Sequence, residues 1–465
     1  MITLRSYQAD LLDRARAEMQ RGARRVLVQA PTGAGKTALT AQMLARAVER
    51  GKRAWFLVHR VELLRQSVSA FATAADLQVG VIAAGFPATP DAPVQVCSVG
   101  TLTRRLRALT PPDFVVFDEC HHVASASWSA IAQTLPLAHH VGLSATPQRL
   151  DGRGLGPYFD ALVVGPSTAD LIAQGWLSPY RLFAPGRPPT LTGVHRVAGD
   201  YNKRELSTAM TESTVVGDAV SHYQQHCPDA RALIFAWSLD ASRQIAQQFR
   251  DVGVDARHVD GDTSSYERED TMRRFRAGDT RVLCNVDLFG EGLDVPAVDA
   301  LFLLRPTQSL GLYLQQVGRG LRPADGKPHV TIFDHVTNWE RHGLPDDDRT
   351  WSLDGATKKA AETVMACKRC PVCFAVVRLA VKVCSSCATP FVVQSREVAR
   401  VEGALVEFDA QLRASLRARR EELQRDCHTP RDWFALAKQL GYKPGWAWLQ
   451  WQAHARRAGW PQKTI

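Results

Sequence analysis

Nine short apolar runs, set in two series, restrict this chain more than any other feature. The first series is "VLVQA" (26–30), "AWFLVH" (54–59), "VQVCSV" (94–99), "FVVFDE" (114–119) and "HVGLSAT" (140–146). The second is "ALIFAW" (232–237), "RVLCNV" (281–286), "ALFLL" (300–304) and "HVTIFD" (329–334). Helix-like segments separate them. Near-continuous apolar strands are buried on both faces, which means parallel sheets covered by helices. The expected fold class is α/β, with one domain at 1–170 and another at 205–345. The stretch 171–204 reads as a linker, because "PYRLFAPGRPPTLTG" (179–193) is rich in Pro and Gly.

The turn after the first run carries the first chemistry. "APTGAGKT" (30–37) follows a strand and precedes the helix-like "ALTAQMLARAVER". That context is a phosphate-binding loop, although Ala30 stands where the strict pattern begins with Gly. Gly33, Ala34 and Gly35 let the backbone curl and aim N–H groups at phosphates. The helix N-terminus adds partial positive charge. Lys36 would reach the outer phosphates of ATP, and Thr37 would hold Mg²⁺. About eighty residues on, "FVVFDECHH" (114–122) ends a strand in two carboxylates. Asp118 would bind the metal, and Glu119 would position or deprotonate the attacking water.

With those two motifs on the page, the chain resembles a superfamily 2 DExD/H-box helicase, close to phage and bacterial DNA helicases. Its box reads "DECH" (118–121). "LRSYQ" (4–8) resembles the adenine-recognition element, with Gln8 as base reader. "VHRVELLRQ" (58–66) and "SVGTL" (98–102) resemble the motifs that touch the nucleic-acid backbone, implying His59, Arg60 and Thr101. "SAT" (144–146), "DGDTSSYERE" (260–269), "NVDLFGEGLDVP" (285–296) and "QQVGRGLR" (315–322) complete the ordered set. The resemblance covers about 1–340 and implies two tandem RecA-like domains. It assigns Arg319 and Arg322 to the transferred phosphate, Gly292 and Asp294 to the nucleotide, and Ser144 and Thr146 to coupling. It also implies that His121 bonds across to Gln315.

Three assignments keep an ordinary alternative: a strand-end cap for Ser144 and Thr146, a helix cap for Gln8, and a surface charge for Arg60. Val286 and Glu291 depart from the usual RNA-helicase residues. With the DECH box, they favour DNA over RNA as partner.

The last third differs in kind. The net charge is +10, yet residues 361–465 carry 17 Lys+Arg against 9 Asp+Glu, leaving only +2 for the rest. That asymmetry points to a polyanion. "CKRCPVCFAVVRLAVKVCSSC" (367–387) holds five of ten cysteines. Two CxxC pairs joined by a hairpin make a zinc ribbon, expected at 367–395 after a connector at 346–366. Cys370, Cys373, Cys384 and Cys387 are the expected Zn²⁺ ligands. Cys367 ends the helix-like "ATKKAAETVMA" and reads as spare, with a substitute-ligand role open. Residues 396–465 form a basic helical region with Trp433, Trp446, Trp448, Trp451 and Trp460. Core packing is the plainer role for these rings. Stacking on bases beside Arg456 and Arg457 is the sharper one. No apolar run approaches a membrane span and no secretory signal is visible, so the expected setting is the reducing cytoplasm with no membrane partner.

Overall fold

The computed structural model describes residues 3–149, 151–185, 189–197, 199–211, 217–286, 298–355, 366–391 and 410–457. Residues 287–297, which hold most of "NVDLFGEGLDVP" with Glu291, Gly292 and Asp294, lie outside them. The chain divides into two compact units, Met1–Val392 and Val393–Ile465.

The strands of the first lobe are β1 (Arg25–Gln29), β2 (Ala54–Val58), β3 (Val79–Ile82), β4 (Val94–Ser98), β5 (Phe114–Phe117), β6 (His139–Ser144) and β7 (Ala161–Val164). They form one parallel sheet in the order β3-β4-β2-β5-β6-β1-β7. β8 (Tyr180–Phe183) and the two-residue pair β9 (Arg196–Val197) and β10 (Asp200–Tyr201) follow. The second series gives β11 (Ala232–Phe235), β12 (Ala256–Val259), β13 (Val282–Asn285), β14 (Ala300–Leu303) and β15 (Val330–Asp334). Their sheet is also parallel, in the order β12-β13-β11-β14-β15-β8. All nine apolar runs are strands. One buried apolar cluster includes Val28 and Leu143 of the first lobe with Leu303 and Val317 of the second.

The 171–204 stretch is more than a linker. β8 pairs along β15 from Tyr180↔Val330 to Phe183↔Phe333. The Asp200 carboxylate accepts from Thr307 Oγ1 (3.0 Å), Gln308 N (2.7 Å) and Arg305 (3.1 Å). The second lobe therefore begins near residue 180, because its outermost strand is supplied before the apolar series starts.

The cysteine stretch also differs from the expected hairpin between the two CxxC pairs. β16 (Cys367–Arg369) and β17 (Val376–Arg378) pair antiparallel around the first CxxC, and Val383 bridges Pro390 around the second. Each CxxC is thus the turn of its own hairpin. Cys367 opens β16; most of the helix-like run before it (356–365) lies outside the described residues.

The second unit has helices at Ala410–Arg425, Pro430–Gln439 and Pro444–Arg457. Trp433 and Trp451 are buried in its core, with Trp446 packed against them. Trp448 is exposed. Trp460 and the side chains of Arg456 and Arg457 lie outside the described residues. Among the described residues, no helix is long and apolar enough to cross a membrane.

Candidate functional site

Three motifs leave the C-terminal ends of three neighbouring strands. β5, β6 and β1 adjoin in that order, and Gln29, the last residue of β1, pairs with Ser144, the last of β6. The phosphate loop, the carboxylate pair and the SAT turn therefore share one rim of the sheet, where open parallel sheets bind ligands. Gln29 reinforces the junction: its Nε2 donates to Ala145 O (3.1 Å) and its Oε1 accepts from Gly165 N (3.2 Å).

In the loop, Gly33 and Gly35 hold φ of +90° and +78°. A side chain at either position would also have to displace a neighbour. A Cβ on Gly33 would lie 2.8 Å from Leu177, and one on Gly35 would lie 2.5 Å from Gln8 Nε2. Lys36 opens the next helix, Lys36–Val48, with Thr37 in its first turn. Gln8 is buried against the loop. Its Nε2 donates to Ala34 O (3.0 Å), and its Oε1 accepts from Arg5 N (3.0 Å). Tyr7, which sequence reasoning passed over, donates its hydroxyl to the same Ala34 O (2.8 Å).

Lys36 Nζ pairs with Glu119 Oε1 at 3.1 Å, and both side chains are largely buried. Glu119 has φ +47°, a left-handed value that costs a non-glycine residue roughly 1–2 kcal/mol. Burial, then the neighbouring Glu119 charge, pushes the Asp118 carboxyl up to about 6; Lys36 and His59 oppose the shift. Adjacent buried carboxylates of this kind fit a divalent cation, whose charge would relieve both causes. His121 Nδ1 lies 3.4 Å from Ser144 Oγ and 3.5 Å from Glu119 Oε2. Ser144 Oγ donates to Thr146 O (2.8 Å) and accepts from Thr146 N (3.1 Å), so the strand-end cap expected as an alternative is present.

The second lobe meets this rim through the helix Leu310–Gly320. Gly318 sits so close that a Cβ there would be 2.3 Å from Thr32 of the phosphate loop, and one on Gly311 would be 3.0 Å from Thr146 Oγ1. Gln315 and His121 line one small cavity at this seam. Arg319 is buried on the helix, and Arg322 follows its end, its Cγ near Gly33. Lys327, another residue without a sequence signal, closes that helix end. Its Nζ donates to Gly320 O (2.5 Å) and Arg322 O (2.9 Å), as a cation at a helix C-terminus should. Burial pulls its pKa down to about 8. Ser178 adds bonds to Leu321 O (2.8 Å) and Arg322 O (3.2 Å).

The backbone-contact candidates are less open than expected. His59 is half-buried with its ring 5.0 Å from that of His122, whose ring lies 4.3 Å from that of His121. Arg60 is half-buried at the residue that precedes the helix Val61–Ala75. Thr101 Oγ1 accepts from Ala84 N (3.3 Å).

The four expected cysteine sulfurs lie within 4.8 Å of one another, with Cys370–Cys387 and Cys373–Cys384 each at 3.6 Å. A tetrahedral zinc with Zn–S near 2.3 Å needs sulfurs about 3.8 Å apart, so the residues fit. The two turns repeat each other. Phe374 N bonds Cys370 O and Cys370 N bonds Ala375 O; Ala388 N bonds Cys384 O and Cys384 N bonds Thr389 O. The Thr389 hydroxyl and N–H hold the Cys387 thiol down at about 6. Cys367 stands apart from this group.

Matches to known proteins agree with this arrangement. Residues 1–149 match the family "Type III restriction enzyme, res subunit", and 217–324 match "Helicase conserved C-terminal domain". A 51.5 kDa protein of a Lactococcus phage is 34% identical over 82% of this chain and 81% of its own length. A DNA 3'-5' translocase of Sulfurisphaera tokodaii is 25% identical over 70% of this chain and 80% of its own. The chain belongs to the superfamily 2 DExD/H-box helicases. A Saccharomyces cerevisiae protein provisionally named an ATP-dependent helicase is 29% identical, and the helicase spans 51% of its length. The fold is shared with a fragment of an HsdR subunit of a type I restriction enzyme from Vibrio vulnificus, at TM-score 0.59, 20% identity, 76% of this chain and 67% of that one. The two lobes of the helicase are RecA-like domains, and it is an ATP-hydrolysing nucleic-acid motor.

Proposed function

We propose that the helicase acts on DNA, using ATP hydrolysis between its lobes to move along or separate strands. The observation that carries this reading is the seam itself: three motifs on β1, β5 and β6 face the arginine-bearing helix of the other lobe. Lys36, Thr37 and the loop N–H groups would hold the phosphates, and Asp118 the Mg²⁺. An incoming phosphate would compete for Lys36 and free Glu119 to take a proton from water. Arg319 and Arg322, braced by Lys327, would offset charge developing on the transferred group. Gln8 has a lone pair left on Oε1 for an adenine amino group. Thr146 against Gly311 would carry the state of the nucleotide into lobe movement, which would shift the nucleic-acid grips at Arg60 and Thr101. His59, set between Asp118 and His122, would report strand contact to the carboxylates.

DNA is favoured by the DECH box, by Val286 and by the relative named a DNA translocase. The four cysteines would hold one structural zinc, making 366–391 a zinc ribbon on the second lobe. ATP turnover measured with single-stranded DNA, duplex, fork and RNA tests the reading. DNA should stimulate most, and stimulation by RNA alone would overturn the DNA assignment. Glu119→Gln should retain ATP without turning it over.

A further inference from the structure

We propose that the exposed side of the C-terminal helical unit is a second nucleic-acid surface, one that takes unpaired strand by stacking bases on rings set between cations. The unit already has a core. Trp433, Leu436, Ala447, Trp451 and Ala455 close it from inside. Yet Phe434, Tyr442 and Trp448 remain 41%, 41% and 40% exposed. Large rings left outside a finished core need a reason, because single exposed aliphatics are common but a run of aromatics is not.

Their order supplies one. On Pro430–Gln439 the exposed positions include Arg431, Phe434 and Lys438, spaced three and four apart and opposite the core residues. The turn follows, with Gly441 at φ +70° and then Tyr442 and Lys443 exposed. On Pro444–Arg457 Trp448 is exposed, at the margin of the side that buries Ala447 and Trp451. Along these helices and their turn the sequence of groups is cation, aromatic, cation, aromatic, cation, aromatic.

The charge environment matches. From Trp433 to Arg457 there is no Asp or Glu, while Lys438, Lys443, Arg456 and Arg457 fall in the same span. The nearest carboxylate, Asp432, is occupied by its own helix start, accepting from Thr429 N (2.7 Å), Thr429 Oγ1 (2.9 Å) and His428 N (3.0 Å). No acidic partner meets Arg431, Lys438 or Lys443 among the described residues. Cations without carboxylates suit phosphates, and rings between them suit unpaired bases, whose faces a duplex hides. A helix pair built to read a duplex groove would present hydrogen-bonding side chains instead.

The inference extends the proposed nucleic-acid reading to a surface outside the ATP-binding lobes. Full-length protein without nucleotide is titrated into labelled oligo(dT) and into a duplex of equal length, at two salt concentrations. Trp448→Ala should weaken oligo(dT) binding about tenfold, the scale of one lost stacked base. Lys438→Glu with Lys443→Glu should weaken it further and flatten the salt dependence. Both variants change exposed side chains, and unchanged melting confirms that they fold. Wild-type affinity for oligo(dT) in both variants would overturn the proposal. So would an equal loss on duplex, which would mark a groove-reading helix pair. If wild type binds neither probe and DNA does not stimulate ATP turnover, the DNA reading fails too. If DNA stimulates turnover and only the variants are silent, the tail surface alone fails.

Discussion

The phosphate loop and the cysteine turns solve one problem in two ways. Both bend on residues in the left-handed region: Gly33 and Gly35 at +90° and +78°, Phe374 and Ala388 at +60° and +58°. Only the loop uses glycine. The difference is space, since side chains at Gly33 and Gly35 would strike Leu177 and Gln8, whereas Phe374 and Ala388 point outward and are exposed. A left-handed φ costs roughly 1–2 kcal/mol, which a turn tied by the proposed zinc would absorb. At Gly35 the obstructing Gln8 amide is itself bonded to Ala34 O and Arg5 N, so a Cβ there disturbs the contacts that seat the phosphate loop.

The strongest way to break that contrast is Gly35→Ala. ATP turnover should fall by about a hundredfold or more, the scale of an ångström-sized misplacement, measured in steady-state assays. Equal turnover would mean that Gln8 moves aside and that space does not decide. Next, Cys370→Ser, Cys373→Ser, Cys384→Ser and Cys387→Ser should each lose bound zinc by elemental analysis, while Cys367→Ser retains it. Loss of metal in Cys367→Ser would bring the fifth thiol into the cluster.

A third test separates the sites electrostatically. The folded Asp118 value, about 6, lies above its ordinary 3.8. Its contribution to stability is therefore full below the ordinary value and is lost as pH rises through 6. Without added Mg²⁺, Asp118→Asn should melt a few degrees above wild type at pH 7.5, with the gap narrowing as pH falls through 6, closing toward pH 4, and shrinking when Mg²⁺ is added to wild type. The smallest effects are expected at the cysteine turns. Phe374→Gly and Ala388→Gly should shift the melting temperature by only a degree or two and leave zinc in place, because strain relieved in the fold is offset by a freer unfolded chain.

How far the fold could be read from sequence follows the same physics. The nine runs became strands because central strands are covered on both faces, as β11 and β14 are, buried at all four positions. In the two large sheets the four strands without such runs, β3, β7, β8 and β12, are the outer ones. Their burial is partial, so their sequences, "VGVI", "ALVV", "YRLF" and "ARHV", do not share that unbroken, fully buried pattern. In the site, Lys36, Asp118 and Glu119 were legible because short contiguous motifs carry them. Tyr7, Ser178 and Lys327 were not. Each acts on a backbone carbonyl brought to it by the fold, and no local pattern records which carbonyl that will be.

One contact of the cysteine element reaches beyond metal binding. β8 is the last strand of its sheet, and on its open side Phe183 bridges Ala375 while Ala184 N bonds Phe374 O. The first cysteine turn therefore shields an edge whose unpaired N–H and C=O groups would otherwise template pairing with another chain. If the four cysteines hold the proposed zinc, its removal would make the protein fail first by clumping with its own copies, with the ATP-binding seam still folded inside the aggregate.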